Sequence, residues 1–434
     1  MTTPTGPQRS GEPTAGELVV KPSLAYLALT LHLPAIALGA GMGLTAVVLP
    51  QLTMDLGEGA GIAIMVFIIY QLGTVAAPLP TGYLIDRLGR RPLLIAGPLI
   101  VVASSLLIAK VAVDGTVQEF LAYRFIGGFG EQVWMLSRIT AIADTAPQSQ
   151  RGRQITSMFG VQQFGALAGP ALGGLVAVQI ALWAPFVLHG VIVLLAMVPS
   201  FFMLRETAPV RAAPSSTGGA GATPQESSWR ELLVPPIPTV FLVQFLANIT
   251  RGGVFGGGVI LVYGTFAYDM GPLELGGLRS AMALIGIPIT FTAGYVMDRF
   301  GRKVTIVPGL ALTGLAMLYM GSTWFFDLSV SAFVGSFIAV HLTVNIISGN
   351  MQTLGTDVAP PHARGRFFGA SRLVAQTGSL LSPSSYGLLT ALAGAGVAFA
   401  FLGGSALVAS VIVAVFIKET LHRPAPAAQP ARRE

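Results

Sequence analysis

Arg124, Glu131 and Arg138 stand seven residues apart within one apolar run. On a helix that spacing keeps all three within about 40° of one face, and each step rises about 10 Å. Ten ångströms is too far for pairing along the helix, so their partners must come from other helices, water or a bound molecule. Each of the other acidic residues, 19 in total with Glu131, falls in a loop, in a tail or near the end of an apolar run. Glu131 is thus the carboxyl group placed to exchange a proton at depth. Arg138 is suited to holding a carboxylate or phosphate through its planar fork. Arg124 reads more as a structural residue.

Two more polar stripes follow helical spacing. Gln244, Asn248, Arg251 and Phe255 succeed one another at intervals of 4, 3 and 4, followed by a glycine-rich run at 252–258 that lets a helix bend or break. His341, Asn345, Ser348 and Gln352 form the other stripe. Arg251, Gln244, Asn248 and Asn345 are candidate substrate contacts, as is Trp134. His341 reads equally as a second proton carrier and as a hydrogen bonder between helices. His32, with Gly39 and Gly43, marks a small-residue face. Trp134, Met135, Trp183, Phe255 and Tyr263 offer apolar contact or simple core packing. Arg279, near one end of its apolar run, is placed to snorkel toward the interface.

The elements that must position these residues are membrane helices. Of 434 residues, 53% are hydrophobic and only 10% charged, with a mean hydropathy of +0.71; soluble chains carry about 25% charge. An ordinary cytosolic enzyme and a disordered chain are excluded. A spanning helix needs roughly 20 apolar residues, and twelve such runs are present: 24–49, 61–84, 92–112, 119–143, 155–178, 182–204, 239–267, 275–297, 304–323, 328–355, 367–391 and 395–417. Cysteine is absent and the 5 histidines are widely spaced, so thiolate or histidine metal sites and disulfides are not expected, nor is any cofactor.

Placing both termini in the cytoplasm puts 20 of the 25 lysines and arginines in cytoplasmic segments, as the positive-inside rule requires. The net charge of +6 is therefore a signal of topology in a cell membrane, and no nucleic-acid partner is implied. The first 20 residues lack an apolar core and read as a polar tail rather than a signal peptide. Residues 206–237, rich in Pro, Gly and Ser, read as a linker. The expected organisation is a tail at 1–23, a six-helix bundle at 24–205, the linker, a second bundle at 238–418 and a tail at 419–434.

The two bundles repeat. GYLIDRLGRR at Gly82 returns as GYVMDRFGRK at Gly294, ADTAPQSQRGR as TDVAPPHARGR, and Arg205-Glu206-Thr207 as Lys418-Glu419-Thr420, at offsets of 212 or 213. Pro170 maps to Pro383 at the same offset. The polar stripes do not repeat: Glu131 maps to Val344 and Arg251 to Leu38. Scaffold features are duplicated and the chemistry is not.

These motifs resemble the major facilitator superfamily. The loop Gly82, Asp86, Arg87, Gly89, Arg90 and Arg91 looks like that family's signature loop, with Gly294, Asp298, Arg299 and Lys303 as its echo. Arg124 with Gly128 and Gly130 is similar to a second motif. Gly165, Gly169, Pro170, Gly173 and Gly174 resemble the motif that marks the family's antiporters. The resemblance implies an all-α membrane protein of twelve transmembrane helices in two six-helix bundles related by pseudo-two-fold symmetry, with helices 1, 4, 7 and 10 lining a central cavity. It also implies alternating access. Gly82, Asp86, Arg87, Gly89, Arg90, Asp298 and Arg299 then act as a charge latch or as topology anchors, and Gly169 and Pro170 as a seal, a hinge or packing.

No nucleotide-binding loop is present, so the chain reads as a secondary transporter and not an enzyme. Proton-coupled export of small amphipathic compounds, neutral, zwitterionic or anionic, is the first reading. The alternative is a symporter or facilitator that takes up an organic anion or sugar. The expected partners are the substrate, protons and the lipid bilayer, with the protein acting as a monomer.

Overall fold

The computed structural model describes residues 28–145, 151–203, 232–256, 258–347, 350–360 and 364–419. The expected tails and linker fall outside these, apart from residues 232–237 and 419. Among the described residues the helices group into twelve elements, in order α1 (Leu33–Asp55), α2 (Ala60–Leu88), α3 (Arg91–Asp114), α4 (Val117–Thr145), α5 (Arg151–Gln179), α6 (Ala184–Met203), α7 (Ile237–Phe255 and Val259–Tyr268), α8 (Pro272–Phe300), α9 (Arg302–Phe325), α10 (Val330–Ile347, with Asn350–Val358 beyond it), α11 (Arg364–Ala393) and α12 (Ala395–Phe416). α1 departs from its expected bounds. It runs on past Pro50 to Asp55, because that proline opens a new helical turn, where its missing N–H is no loss.

Among the described residues, nine of these elements are long and apolar enough to cross a bilayer as they stand. The tenth is α7, whose halves meet at a 49° bend where the glycine run lies. The other two, α4 and α11, are 29 and 30 residues long and so reach more than 40 Å at about 1.5 Å per residue. Their shortfall is polarity. α4 carries Arg124, Glu131 and Arg138, and α11 a run of Ser, Thr and Gln.

Proline in the first turn opens α1, α3, α7 and α8, a position preorganised for helix starts. The signature loops turn at Gly89 (φ 87°) and Gly301 (φ 120°). These backbone angles strain any residue with a Cβ. The glycine pair is the structural reason for the repeated loop sequence.

α1 packs on α5 and α6, α3 on α4 and α6, and α2 on α4; in the second half α9 packs on α12 and α10, α7 on α11 and α12, and α8 on α10. The halves are joined most extensively by α5 with α8 and by α2 with α11, and also by the Val259–Tyr268 part of α7 with α1 and α2. The glycines of the antiporter-like motif explain the first. Gly165, Gly169 and Gly173 lie directly on the α1 backbone, while Gly174 meets Pro272 and Gly276 of α8 meets Pro170. Small residues at such sites allow backbones to touch where lipid offers no hydrophobic drive.

The apolar cores reveal the state of the molecule. One large core joins both halves at the end remote from the signature loops, from Leu49, Ile64 and Phe67 through Val259, Tyr263 and Leu275 to Phe333 and Phe399. Among the described residues, every other core lies within one half. Phe67 of α2 sits against Gly258 of α7, and Ile64 against Gly387 of α11. The molecule is sealed at the remote end, and among the described residues its signature-loop end has no core shared between halves.

Candidate functional site

α4 places its three charges on one face, and its packing on α2 selects the partner. Gly73 of α2 lies on the carbonyl of Phe125, and Gly128 of α4 on that of Tyr70. This close approach delivers the Tyr70 hydroxyl to Glu131, where it donates to the carboxylate Oε2. The Arg124 guanidinium lies over the same ring, 4.3 Å from its centroid, within cation–π range. Tyr70 therefore connects the cation and the carboxylate that their own helix holds apart. The mid-helix pair Tyr70-Gln71 was the available sequence signal for this partner.

Arg124 is 8% and Arg138 2% exposed. Arg138 lies 5.1 Å from the centroid of the Trp134 ring, and its Nη2 donates to Met135 Sδ at 3.5 Å. Arg138 Nε and Nη1 and Arg124 Nε find no hydrogen-bond partner among the described residues. Trp134 is fully buried in a core with Leu38, Val101 and Ala196, so it packs as well as facing Arg138. Behind this cluster His189 meets Ser105 Oγ through Nδ1 at 3.0 Å, tying α6 to α3. His32 reaches Ser157 Oγ of α5 at 3.3 Å.

The second half presents its stripes on α7 and α10. Gln244 Oε1 accepts from Ser371 Oγ of α11 at 2.7 Å, and Asn248 Nδ2 donates to the Gln244 carbonyl at 2.7 Å. Arg251 lies 5.7 Å from the centroid of the Phe255 ring. Asn345 Nδ2 donates to the His341 carbonyl at 2.7 Å. His341 is buried, with Nδ1 on the Phe337 carbonyl at 2.8 Å and its ring stacked on Phe337 at 4.1 Å. It joins its own helix rather than the Glu131 cluster. Ser348 lies outside the described residues. Tyr263 belongs to the aromatic core of the sealed end, bonded to Thr323 and packed on Phe399.

Arg279 shares a helix face with the buried Leu275, Met282 and Gly286. Its Nη2 donates to the Phe255 carbonyl at 2.8 Å, at the C-terminal end of the first half of α7.

The signature loops differ in their partners. Asp86 and Arg87 are exposed, with Arg87 near the Tyr83 ring, and Arg91 reaches the Phe201 carbonyl at 3.2 Å. In the echo, Asp298 is 73% exposed and lies 3.7 Å from Arg302, which also holds Asp357 at 2.9 Å. Arg299 bonds the Tyr295 hydroxyl at 2.7 Å. Glu419 accepts from the backbone N–H groups of Arg302 and Lys303 at 2.8 and 3.0 Å. It caps α9, a favourable place for an anion, which gives the repeated Lys418-Glu419-Thr420 segment a physical purpose. Among the described residues, no group of histidine, aspartate or glutamate side chains is arranged to hold a metal ion.

A sequence model of the Major Facilitator Superfamily matches residues 32–383 and 245–434. Multidrug resistance protein MdtL of Klebsiella pneumoniae (strain 342) is 25% identical over 337 residues, covering 73% of this chain and 83% of that protein. The MdtL of Salmonella typhimurium is 29% identical over 175 residues, 40% of this chain and 44% of its own. Among solved structures, a D-xylose–proton symporter superposes with a TM-score of 0.69 at 16% identity, covering 92% of this chain and 98% of that one. A bacterial homologue of the iron transporter ferroportin in its inward-facing state gives 0.69 at 16% identity over 91% and 99%. These last two likenesses speak for the fold.

Proposed function

This chain belongs to the major facilitator superfamily, and on that premise we propose that it is a proton-coupled exporter of small amphipathic organic compounds working by alternating access. The observation that carries the reading is Glu131, a carboxylate at mid-depth of α4 held by Tyr70 and flanked by two buried arginines. The name of the MdtL relatives supports export of drug-like compounds.

We place both termini, the signature loops and the 206–237 linker in the cytoplasm, following the arginine-rich segments. The bundles then run over 24–205 and 238–418, and the molecule acts as a monomer in the cell membrane. With that orientation the shared apolar core closes the external side, so the structure is inward-facing. Asp86 and Asp298, exposed here, pair across the halves only when the cytoplasmic side closes.

The cycle follows from charge. An ionised carboxylate in the bilayer interior is costly, and a protonated one far less so. Glu131 loses its proton to the cytoplasm as substrate enters between the bundles, where the free donors of Arg138 and the Gln244, Asn248 and Asn345 stripe offer contacts. After the change of access substrate leaves outward, and Glu131 takes an external proton whose neutral form allows the empty carrier to return. Uptake of an organic anion or sugar is the second reading, favoured by the surplus of buried arginines over carboxylates. Direction decides between them: export predicts that expression lowers cellular accumulation of a compound panel, and uptake predicts that it raises it.

A further inference from the structure

We propose that the groove between α8 and α9 binds one anionic phospholipid from the leaflet on the signature-loop side, with an acyl chain along the groove and the phosphate at Arg299. Such a site is independent of the direction of transport. Both helices carry an internal proline, Pro288 in α8 and Pro308 in α9. A proline lacks the N–H and crowds the carbonyl one turn back, so it bends a helix. The two prolines stand on opposite walls of a groove of about 440 Å³, floored by Ile346 of α10. That volume falls in the range of about 300–1,000 Å³ usual for small-molecule sites. Thr292, Val304, Pro308 and Leu312 along it are exposed, so it opens on the lipid side.

Length and chemistry select the occupant. The α9 wall runs from Val304 through Pro308 to Leu312, about 12 Å at about 1.5 Å per residue. One leaflet supplies half of a hydrocarbon core about 30 Å thick, so the groove spans most of one leaflet. Its polar side chains, Thr292 and Thr305, donate their hydroxyl protons to carbonyls of their own helices, Pro288 at 2.8 Å and Arg302 at 3.1 Å. The wall that remains is apolar and suits a hydrocarbon chain rather than a polar solute.

Charge marks the interfacial end. Pro288, Thr292, Tyr295 and Arg299 follow at intervals of 4, 3 and 4, so the groove stripe on α8 leads along one face to an arginine. Arg299 Nη1 donates to the Tyr295 hydroxyl at 2.7 Å, and its guanidinium lies 5.6 Å from the centroid of the Phe300 ring. The carboxylates nearby are engaged elsewhere, Asp298 and Asp357 with Arg302 and Glu419 with the first N–H groups of α9. Lys303 adds a second cation, its Nζ on the Ala414 carbonyl at 2.7 Å. A guanidinium fork matches a phosphate, and basic side chains at this level attract anionic headgroups.

The test is native mass spectrometry of the full-length protein, stripped of lipid in detergent and titrated with palmitoyl-oleoyl phosphatidylglycerol or with the phosphatidylcholine of the same chains. Wild type is expected to bind its first phosphatidylglycerol about tenfold more tightly than its first phosphatidylcholine. Arg299→Gln is expected to bring phosphatidylglycerol to the level of phosphatidylcholine. Thr292→Trp fills the groove from its exposed edge and is expected to weaken both lipids severalfold. Glycerophosphoglycerol, the same headgroup without chains, is expected not to compete. Equal binding of the two lipids by wild type overturns the site, as does unchanged phosphatidylglycerol binding in either variant. Competition by the chain-free headgroup overturns the groove as well, leaving a surface contact for phosphate. The variants alter opposite parts of the site, so if one is not recovered folded the other decides.

Discussion

At the scale of the residue, Tyr70 carries a prediction of its own. Its hydroxyl bonds Glu131 and its ring lies under Arg124, so Tyr70→Phe removes the hydrogen bond and keeps the stacking. A hydrogen bond to a charged group contributes about 1.5–3 kcal/mol. Gradient-driven transport by Tyr70→Phe is expected to fall about tenfold and its half-saturating proton concentration to change, with substrate affinity preserved. A vesicle assay over a series of pH gradients checks this, and an unaltered proton dependence would reduce Tyr70 to packing. Glu131 was legible in the sequence because one carboxylate in a long apolar run has no cheap explanation. Tyr70 was not, because its meeting with Glu131 depends on the approach of α2 and α4 at Gly73 and Gly128, which spacing along a single helix does not reveal. The partner of Arg279 was hidden for a similar reason. The nearness of this arginine to a helix end suggested snorkelling, and only the broken α7 shows which carbonyl it serves.

Elements explain why the same residues recur in both halves. Gly89 and Gly301 turn the signature loops through positive φ, and Glu419 caps α9. Glu419→Ala is expected to cost about 1 kcal/mol of stability, read as a lower unfolding midpoint in detergent, with transport retained at low temperature. Gly128→Val should do more harm. Its side chain would meet the Tyr70 backbone, and overpacking of this kind costs about 1–3 kcal/mol. Loss of both folded yield and activity is expected, against Glu131→Gln, which leaves yield intact. The twelve spans were readable from composition because lipid demands apolar length, and the broken α7 was readable from its glycines. The exact course of α1 past Pro50 was not, since a proline inside an apolar run reads equally as an end and as a new first turn.

For the whole molecule, the account is of two bundles sealed at one end and separable at the other. The absence of cysteine makes that directly testable. An ideal Cβ at Gly387 lies 3.9 Å from the Ile64 Cβ, within the disulfide range of about 3.5–4.5 Å. Ile64→Cys with Gly387→Cys is expected to crosslink on oxidation, to stop transport and to recover on reduction. Crosslinking without loss of transport would show that this end need not open. Asp86→Asn and Asp298→Asn are expected to impair transport without reducing insertion, and wild-type rates in both would make the loops anchors alone. The central claim is that Glu131 carries the coupled proton, and proton-driven flux in reconstituted vesicles tests it most directly. Glu131→Gln keeps size and hydrogen bonding, so the account predicts normal substrate binding and exchange with no accumulation against a gradient. A Gln variant that still concentrates substrate when a pH gradient is imposed would contradict it.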